Sequence, residues 1–147
     1  VERVDGRTIA EIFRDEDEAR FRVLEAEAIE RAASGGAVVA LGGGAIAQPG
    51  AAERLLEAGV IVNLQADAKV LLERIGDPSS RPLLAGLDAE AQRARLERLI
   101  EERAEYYQKS TLSVDASGPA QGVVEEILAA LEELWAATEQ REEKVVA

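Results

Sequence analysis

The sequence predicts an α/β domain in which a parallel β-sheet is covered by helices on both faces. Short apolar segments with the length and β-branched content of buried strands alternate with helical segments, as in βαβ units. A run of three glycines directly follows the first apolar segment, at the end of a strand where open α/β sheets bind ligands. The predicted strands are residues 37–41, 60–64 and 111–114.

The composition is that of one globular domain, and it excludes several chemistries. Of the 147 residues, 47% are hydrophobic and 31% are charged, which is enough for a single core. The net charge of −12 repels phosphate backbones, so we expect no nucleic-acid partner. The chain has no cysteine and no histidine, which excludes disulfides, thiolate chemistry and the usual base for neutral pH. No apolar run has the length of a membrane span and no signal-peptide pattern opens the chain, so we expect a cytoplasmic protein without membrane contact.

Local signals place the helices in the first half of the chain. Thr8 and Glu11 have the spacing of a capping box. Ser34-Gly35-Gly36 is predicted to end the second helix. Pro49-Gly50 starts the third helix and Gly59 ends it. These predicted helices are residues 9–14, about 16–33 and 51–58.

Two aspartates are predicted to cap helices in the second half of the chain. Asp67 and Asp88 each precede a helical pattern, where a carboxylate can accept hydrogen bonds from the free N–H groups of the first turn. Prolines and a glycine predict a loop over residues 77–86. Residues 1–140 are interpreted as the domain and 141–147 as a frayed, charged tail. The predicted helices are 68–75, 89–109 and a last helix after Pro119. That last helix carries an apolar stripe expected to face the core, formed by Val123, Val124, Ile127, Leu128, Leu131, Leu134 and Trp135.

The glycine run Gly42-Gly43-Gly44 is the most informative stretch. Three residues without a Cβ let a ligand approach bare backbone and leave the N–H groups free to point at it. A tight turn between strand and helix is the alternative interpretation, and the sequence alone does not decide between them.

Four arginines stand out for different reasons. Arg22 has Glu25 three residues on, a spacing at which the carboxylate can hold a guanidinium that points at a ligand. From spacing alone, an exposed surface pair is the simpler interpretation. Arg103 is not distinguished by spacing from the other arginines of its helix. Arg81, in a loop and followed by Pro-Leu-Leu, suits a closing lid that brings charge to a phosphoryl group, or an ordinary surface loop. For Arg74, the helix dipole alone is a sufficient explanation.

Taken together, these pieces resemble the shikimate kinase family. Order and spacing match from Val1 to about Leu134, and five weak motifs in register are specific. The resemblance implies a P-loop kinase of the nucleoside-monophosphate-kinase type. Such an enzyme transfers the γ-phosphoryl group of ATP to the 3-hydroxyl of shikimate, with Mg²⁺, in aromatic amino-acid biosynthesis. The matching motifs are Gly6–Phe13, Phe21-Arg22-x-x-Glu25, Gly42–Ala45, Arg81–Leu84 and Arg103-x-x-x-Tyr107.

The resemblance implies a role for each matched residue. Arg22 and Arg103 bind the carboxylate of shikimate as planar forks, and Glu25 orients Arg22. Arg81 is the catalytic arginine and also contacts the nucleotide phosphates. The other implied substrate-binding residues are Gly42, Gly43, Gly44, Phe13 and Phe21. The other implied nucleotide-binding residues are Arg74, Ala116, Ser117, Gly118 and Pro119.

The sequence departs from the family at its beginning. The family's first strand, its G-x-x-x-x-G-K-S/T loop, a helix and the second strand precede the point that matches Val1, about 30 residues in all. That segment carries the residues that bind Mg²⁺ and cradle the ATP phosphates, so we expect a truncated sequence that is inactive as it stands. The resemblance places the first strand between 37–41 and 60–64. We therefore expect the isolated chain to be unstable or to aggregate, and a cooperative thermal transition would contradict that expectation.

Two other functions remain open at this level. A non-catalytic domain that binds shikimate, or that pairs with another chain, is motivated by the carboxylate-binding arginines without an ATP loop. Another small-metabolite kinase, such as gluconate kinase, is the weaker alternative. We expect a monomer with shikimate and ATP as its partners.

Overall fold

The computed structural model describes residues 1–33, 36–77 and 81–146, with 140–146 described by backbone alone. Ser34 and Gly35 of the predicted helix end, and residues 78–80 of the predicted loop, lie outside these ranges. The elements in chain order are α1 (Glu2–Asp5), α2 (Ile9–Asp15), α3 (Glu18–Ala33), α4 (Ala51–Ala58), β1 (Val62–Gln65), α5 (Ala68–Ile75), α6 (Ala89–Tyr107), β2 (Leu112–Asp115) and α7 (Ala120–Val146).

Helix boundaries follow the capping side chains. Asp67 accepts a hydrogen bond from the Val70 N–H at 2.8 Å and Asp88 accepts one from the Ala91 N–H at 2.9 Å. The predicted bounds of α4 and α5 are confirmed residue by residue, while α6 ends at Tyr107 rather than at 109. Side chains that satisfy the free N–H groups of a first turn mark a helix start in the sequence itself.

The short helix α1 was missed by the sequence patterns. Its N-cap, Val1, offers no side-chain hydrogen bond, so the usual start signal is lacking. The Glu2 carboxylate instead accepts from the Ile9 N–H at 2.9 Å, which ties α1 to the start of α2. Arg7 then joins the two helices by ion pairs with Asp5 and Glu16.

The sheet consists of two parallel strands in the part of the chain described. Val62 lies opposite Leu112, and the register continues to Gln65 opposite Asp115. Two of the three predicted strands and their parallel orientation are therefore confirmed, each shifted by one or two residues. Although this strand is mostly apolar, Leu64 is 55% exposed.

The predicted strand over residues 37–41 is wrong. These residues belong to no strand, and the Val38 side chain is fully exposed. A strand needs a neighbour for its N–H and C=O groups. In the ranges described, the sheet contains only β1 and β2. An apolar composition alone does not make a strand when nothing lies beside it to pair.

Two apolar clusters form the core. The first joins α2 to α3 through Ile12, Phe21 and Leu24. The second lies where the segment after the glycines, α4 and β1 meet the end of α6. It consists of Ile46, Ala52 and Ile61, with Leu55, Tyr106 and Tyr107 packed against it. The second cluster therefore holds the glycine run in place beside α6.

The stripe of α7 is only partly buried. The helix packs against β2, and Val123, Ile127, Leu131 and Leu134 are half-buried. The other members of the stripe, Val124, Leu128 and Trp135, are exposed. The backbone of 141–146 continues the helix, and the division into a domain and a tail stays a prediction.

The capping box at Thr8 predicts an acid-sensitive start of α2. The Thr8 N–H and hydroxyl both donate to the Glu11 carboxylate at 2.8 Å, which lowers the pKa of Glu11 below its usual 4.5. A carboxyl with a lowered folded pKa stabilises the fold above its unfolded pKa, and this contribution is lost as the pH falls through the folded pKa. Glu11→Gln should therefore reduce the helical ¹³Cα shifts of residues 9–15 at pH 7, and this difference from the parent should shrink as the pH falls below 4.5. Glu57→Gln, on the exposed face of α4, is the control. A difference that stays constant as the pH is lowered would contradict this account.

Candidate active site

Arg22 lies on α3 with its guanidinium between two carboxylates of the same helix. Nη1 donates to Glu25 Oε2 at 2.7 Å, and Nη2 donates to Glu18 Oε1 at 2.8 Å. The side chains of Arg22 and Glu25 are only 15% and 11% exposed. The simpler interpretation from spacing, an exposed surface pair, is therefore wrong, because this ion pair lies largely inside the protein.

The surroundings keep Arg22 charged and oriented. Burial lowers the pKa of Arg22, but hydrogen bonds to Glu18 and Glu25 outweigh this and raise its pKa above the usual value. Its Nε atom is buried and has no hydrogen-bond partner in the described part of the chain. The guanidinium carbon lies 5.1 Å from the centre of the Phe21 ring, within the range of a cation–π contact. Phe13 packs on Phe21 with ring centroids 5.0 Å apart.

The glycine run lies directly against this ion pair. A Cβ at Gly42 would stand 2.9 Å from Glu25 Oε1, and a Cβ at Gly44 would stand 2.7–2.9 Å from the Arg22 guanidinium. Neither glycine has a positive φ. Glycine is therefore favoured here because a side chain would collide with Arg22 or Glu25, and not because of the backbone conformation. The Ala45 N–H does close a turn onto the Gly42 carbonyl at 2.9 Å. The run is therefore a turn, and it is also a place where side chains of the protein approach bare backbone. Its role as a ligand-binding stretch stays a prediction.

Helix α6 brings Arg103 and Tyr107 to the same glycines. The two residues are one helical turn apart and share a face. A Cβ at Gly43 would stand 3.7 Å from Arg103 Nη1 and 3.3 Å from the Tyr107 hydroxyl. That hydroxyl donates to the Gly43 carbonyl at 2.7 Å. Two helices far apart in sequence thus meet at one stretch of bare backbone, as the resemblance implied.

Three residues of this site were assigned no role from the sequence. Glu18 lies four residues before Arg22 and Tyr107 four residues after Arg103, so helical spacing was a signal for both. Gln48 donates its amide to the Gly44 carbonyl at 3.1 Å, and nothing in the sequence pattern indicated this contact. Together, Tyr107 and Gln48 hold the carbonyls of two consecutive glycines.

Arg74 lies at another place, where β2 leads into α7. Its Nη2 donates to the carbonyls of Ser117 and Gly118 at 3.2 and 2.9 Å. The Ser117 N–H donates to Asp115 Oδ1 at 2.8 Å, and this hydrogen bond lowers the pKa of Asp115. Ala116 is buried beside them. The structure therefore brings together residues predicted to bind nucleotide, but the contacts it shows are within the protein.

Arg81 is exposed at the start of a turn. Its carbonyl accepts hydrogen bonds from the Leu84 and Ala85 N–H groups, both at 2.9 Å. Leu84 is buried and anchors the turn. The role of Arg81 stays a prediction.

A cleft of about 380 Å³ opens between α3 and α4. Arg22 and Glu25 reach it from α3, and Arg54 and Leu55 reach it from α4. Its remaining wall is mostly alanine. Arg103 and the glycines do not line it, so the cleft adjoins the arginine–glycine site without being identical to it.

Two further observations concern metals and membranes. Among residues 1–33, 36–77 and 81–139, whose side chains are described, no group of three or more acidic side chains is placed to hold a metal ion. None of the helices within these ranges has both the length and the apolar character to cross a bilayer.

Comparisons with known proteins agree with this geometry. The shikimate kinase family model matches residues 1–132. The chain belongs to the shikimate kinase family. It is 38% identical to the Salinibacter ruber shikimate kinase over 84% of the chain. It is 41% identical to that of Gloeobacter violaceus over 89% of the chain and 73% of the relative. Shikimate kinase from Acinetobacter baumannii in complex with shikimate superposes with a TM-score of 0.76 at 31% identity, over 88% of this chain and 74% of that one.

Family membership bears on one of the open alternatives. The matching family model and the relatives named above are those of shikimate kinases and not of a gluconate kinase. They also confirm the α/β fold of a P-loop kinase, although only two strands are present in the described ranges. The chain spans 64% of the length of the Salinibacter ruber relative.

Gly44→Ala tests whether the glycine run sets the position of Arg22. The new methyl group would meet the end of a flexible side chain, so we expect the helices to persist while the Arg22–Glu25 contact is lost. In an arginine-labelled ¹H–¹⁵N spectrum, the Nε–H signal of Arg22 should shift, while the far-ultraviolet circular dichroism stays unchanged.

Gly59→Ala is the matched control for this variant. A methyl group added at Gly59 would have no atom within 4 Å, and the residue has an extended φ of 168°. An Arg22 signal that responds equally to both substitutions, or to neither, would show that Gly44 is not required for its placement.

Proposed function

We propose that this protein is a shikimate kinase that transfers the γ-phosphoryl group of ATP to the 3-hydroxyl of shikimate. The observation that carries the proposal is the convergence of Arg22 and Arg103 on the backbone of Gly42–Gly44. A ring acid that bears hydroxyl groups needs cations for its carboxylate and backbone groups for its hydroxyls. This site offers both kinds of group within one small region. The matching family model is that of shikimate kinase, and the resemblance implies ATP as the phosphoryl donor and a step of aromatic amino-acid biosynthesis.

In this proposal the substrate lies over the glycine run. Arg22 and Arg103 bind its carboxylate through planar forks that suit two oxygens. Glu25 holds Arg22, and N–H groups of Gly42, Gly43 and Gly44 face the ring hydroxyls. Phe13 and Phe21 form the apolar wall. The Acinetobacter baumannii relative is described in complex with shikimate, which supports this ligand for the present site.

The nucleotide is assigned to the turn that follows β2, where Arg74 lies. Arg81 acts as the catalytic residue by bringing positive charge to the transferring phosphoryl group, since phosphoryl transfer depends mostly on positioning and on charge neutralisation. The buried Leu84 anchors the turn that carries Arg81. Arg74 orders the turn that flanks the adenine, which consists of Ala116, Ser117, Gly118 and Pro119.

Mg²⁺ usually keeps several water ligands and is held by one or two protein groups together with the phosphates of the nucleotide. The resemblance implies Mg²⁺ for this reaction, and no step is assigned to the metal within this chain. A monomeric state and a cytoplasmic location complete the proposal.

A non-catalytic shikimate-binding domain is the second candidate. It is favoured by the approach of Arg22 and Arg103 to the same glycine run, an arrangement that can bind a carboxylate without a nucleotide. Calorimetric titration of shikimate with and without ATP and Mg²⁺ separates the two. Turnover, or a shikimate affinity that changes with ATP, supports the kinase. Micromolar shikimate binding that ATP does not change supports the binding domain.

Arg103→Lys tests the proposed carboxylate site. Lysine keeps the charge but cannot present two parallel N–H donors, so the Kd for shikimate should rise by about tenfold, or about 1.4 kcal/mol. Isothermal titration calorimetry measures this change.

Arg93→Lys is the matched control on the same helix. Arg93 is an exposed residue paired with Glu97 and lies outside the site. If Arg103→Lys and Arg93→Lys bind shikimate equally well, Arg103 does not contact the carboxylate and the proposed substrate site is wrong.

A further inference from the structure

The two carboxylates that hold Arg22 are not equivalent. Glu25 is 11% exposed, and its Oε1 stands against the Gly42 backbone, where even a methyl group would not fit. Glu18 is 50% exposed and bonds only the Nη2 arm of Arg22. Water competes for a half-exposed carboxylate, which weakens its hold on the guanidinium. Glu25 is therefore a fixed partner of Arg22, whereas Glu18 can exchange with solvent or with another anion at little cost.

The donors of Arg22 differ in access as well. Nε is buried, and Nη1 is bonded to the buried Glu25. The Nη2 arm is bonded to the half-exposed Glu18. An incoming carboxylate therefore reaches Arg22 most readily at Nη2, which is the arm that Glu18 uses.

The charges at the site also matter for an acidic ligand. Arg22 contacts two carboxylates, Glu18 and Glu25, and Arg103 adds a second positive charge beside the same glycine run, so these four charges sum to zero. With Glu18 turned out to solvent, the groups left in contact carry one net positive charge. A monoanionic ligand is attracted to the second arrangement and much less to the first.

We propose that Glu18 and the carboxylate of the substrate compete for the Nη2 arm of Arg22, so that binding moves Glu18 out to solvent. The inference rests on the proposed function, since it takes shikimate as the ligand of Arg22. Glu18 is then an affinity-determining residue. It lowers the affinity for every carboxylate ligand and favours those whose other contacts are strong enough to displace it.

Glu18→Gln is the direct test. Glutamine keeps the size of the side chain and an acceptor oxygen for Nη2 but removes the negative charge. In calorimetric titrations of the full chain, we expect shikimate to bind about three- to tenfold more tightly, in line with the loss of an exposed competing ion pair. An unchanged or weaker affinity would overturn the proposal, because it would mean that Glu18 only orients Arg22.

Glu97→Gln is the matched control. Glu97 is 49% exposed and accepts a hydrogen bond from Arg93 at 2.8 Å in the same four-residue spacing. The substitution removes one negative charge from the protein without touching the site. Equal tightening in Glu97→Gln and Glu18→Gln would show a general charge effect and would equally overturn the proposal.

A second measurement does not depend on shikimate. Phenylglyoxal modifies accessible arginines, and peptide mass spectrometry reports the rate at Arg22 alone. If Glu18 holds the Nη2 arm in solution, Glu18→Gln should speed modification of Arg22 several-fold and Glu97→Gln should not. Equal rates in the parent and both variants would overturn the inference. Faster modification of Arg22 in Glu18→Gln, together with no shikimate binding by the parent or by any variant, would instead count against the proposed function.

Discussion

The buried ion pair between Arg22 and Glu25 is the constraint on which the site depends. An ion pair removed from water is costly unless each charge is held by its partner, and removal of one partner leaves an unpaired charge inside the protein. Here the pair occupies the space where side chains of Gly42 and Gly44 would otherwise lie. The requirement for glycine at these positions therefore follows from the ion pair, and the orientation of Arg22 follows from both.

Helix α6 brings Arg103 and Tyr107 against the glycine run and holds them there. Tyr107 bonds the Gly43 carbonyl and packs with Tyr106 on the cluster of Ile46, Ala52 and Ile61. Lys109, just past the end of α6, pairs with Glu53 of α4 at 2.7 Å. Apolar packing thus sets the distance between α6 and the glycine run. The hydrogen bond from Tyr107 sets the position of α6 along that run. Arg103 is carried to the site by the same helix face.

The sequence patterns predicted the bounds of these helices better than they predicted the strands, and the reason is physical. The bounds of α4 and α5 were predictable because capping by Asp67 and chain reversal at Gly50, Gly59 and Gly76 are interactions between near neighbours. Residues 37–41 have the composition of a strand, but strand formation requires a partner that lies elsewhere in the chain. The stripe of α7 was recognisable as apolar, yet only packing against β2 determines which part of it is buried.

By itself, the sequence determined the α/β class, the caps, the parallel orientation of two strands and, through five motifs in register, the family. The tertiary structure decided that Arg22 and Glu25 form a buried pair, that Arg103 reaches the same glycines, and that Glu18, Gln48 and Tyr107 belong to the site. Spacing along a helix shows which side chains are neighbours on that helix. It carries no information on how deeply they are buried or on what another element brings against them, because both depend on contacts between residues far apart in the chain.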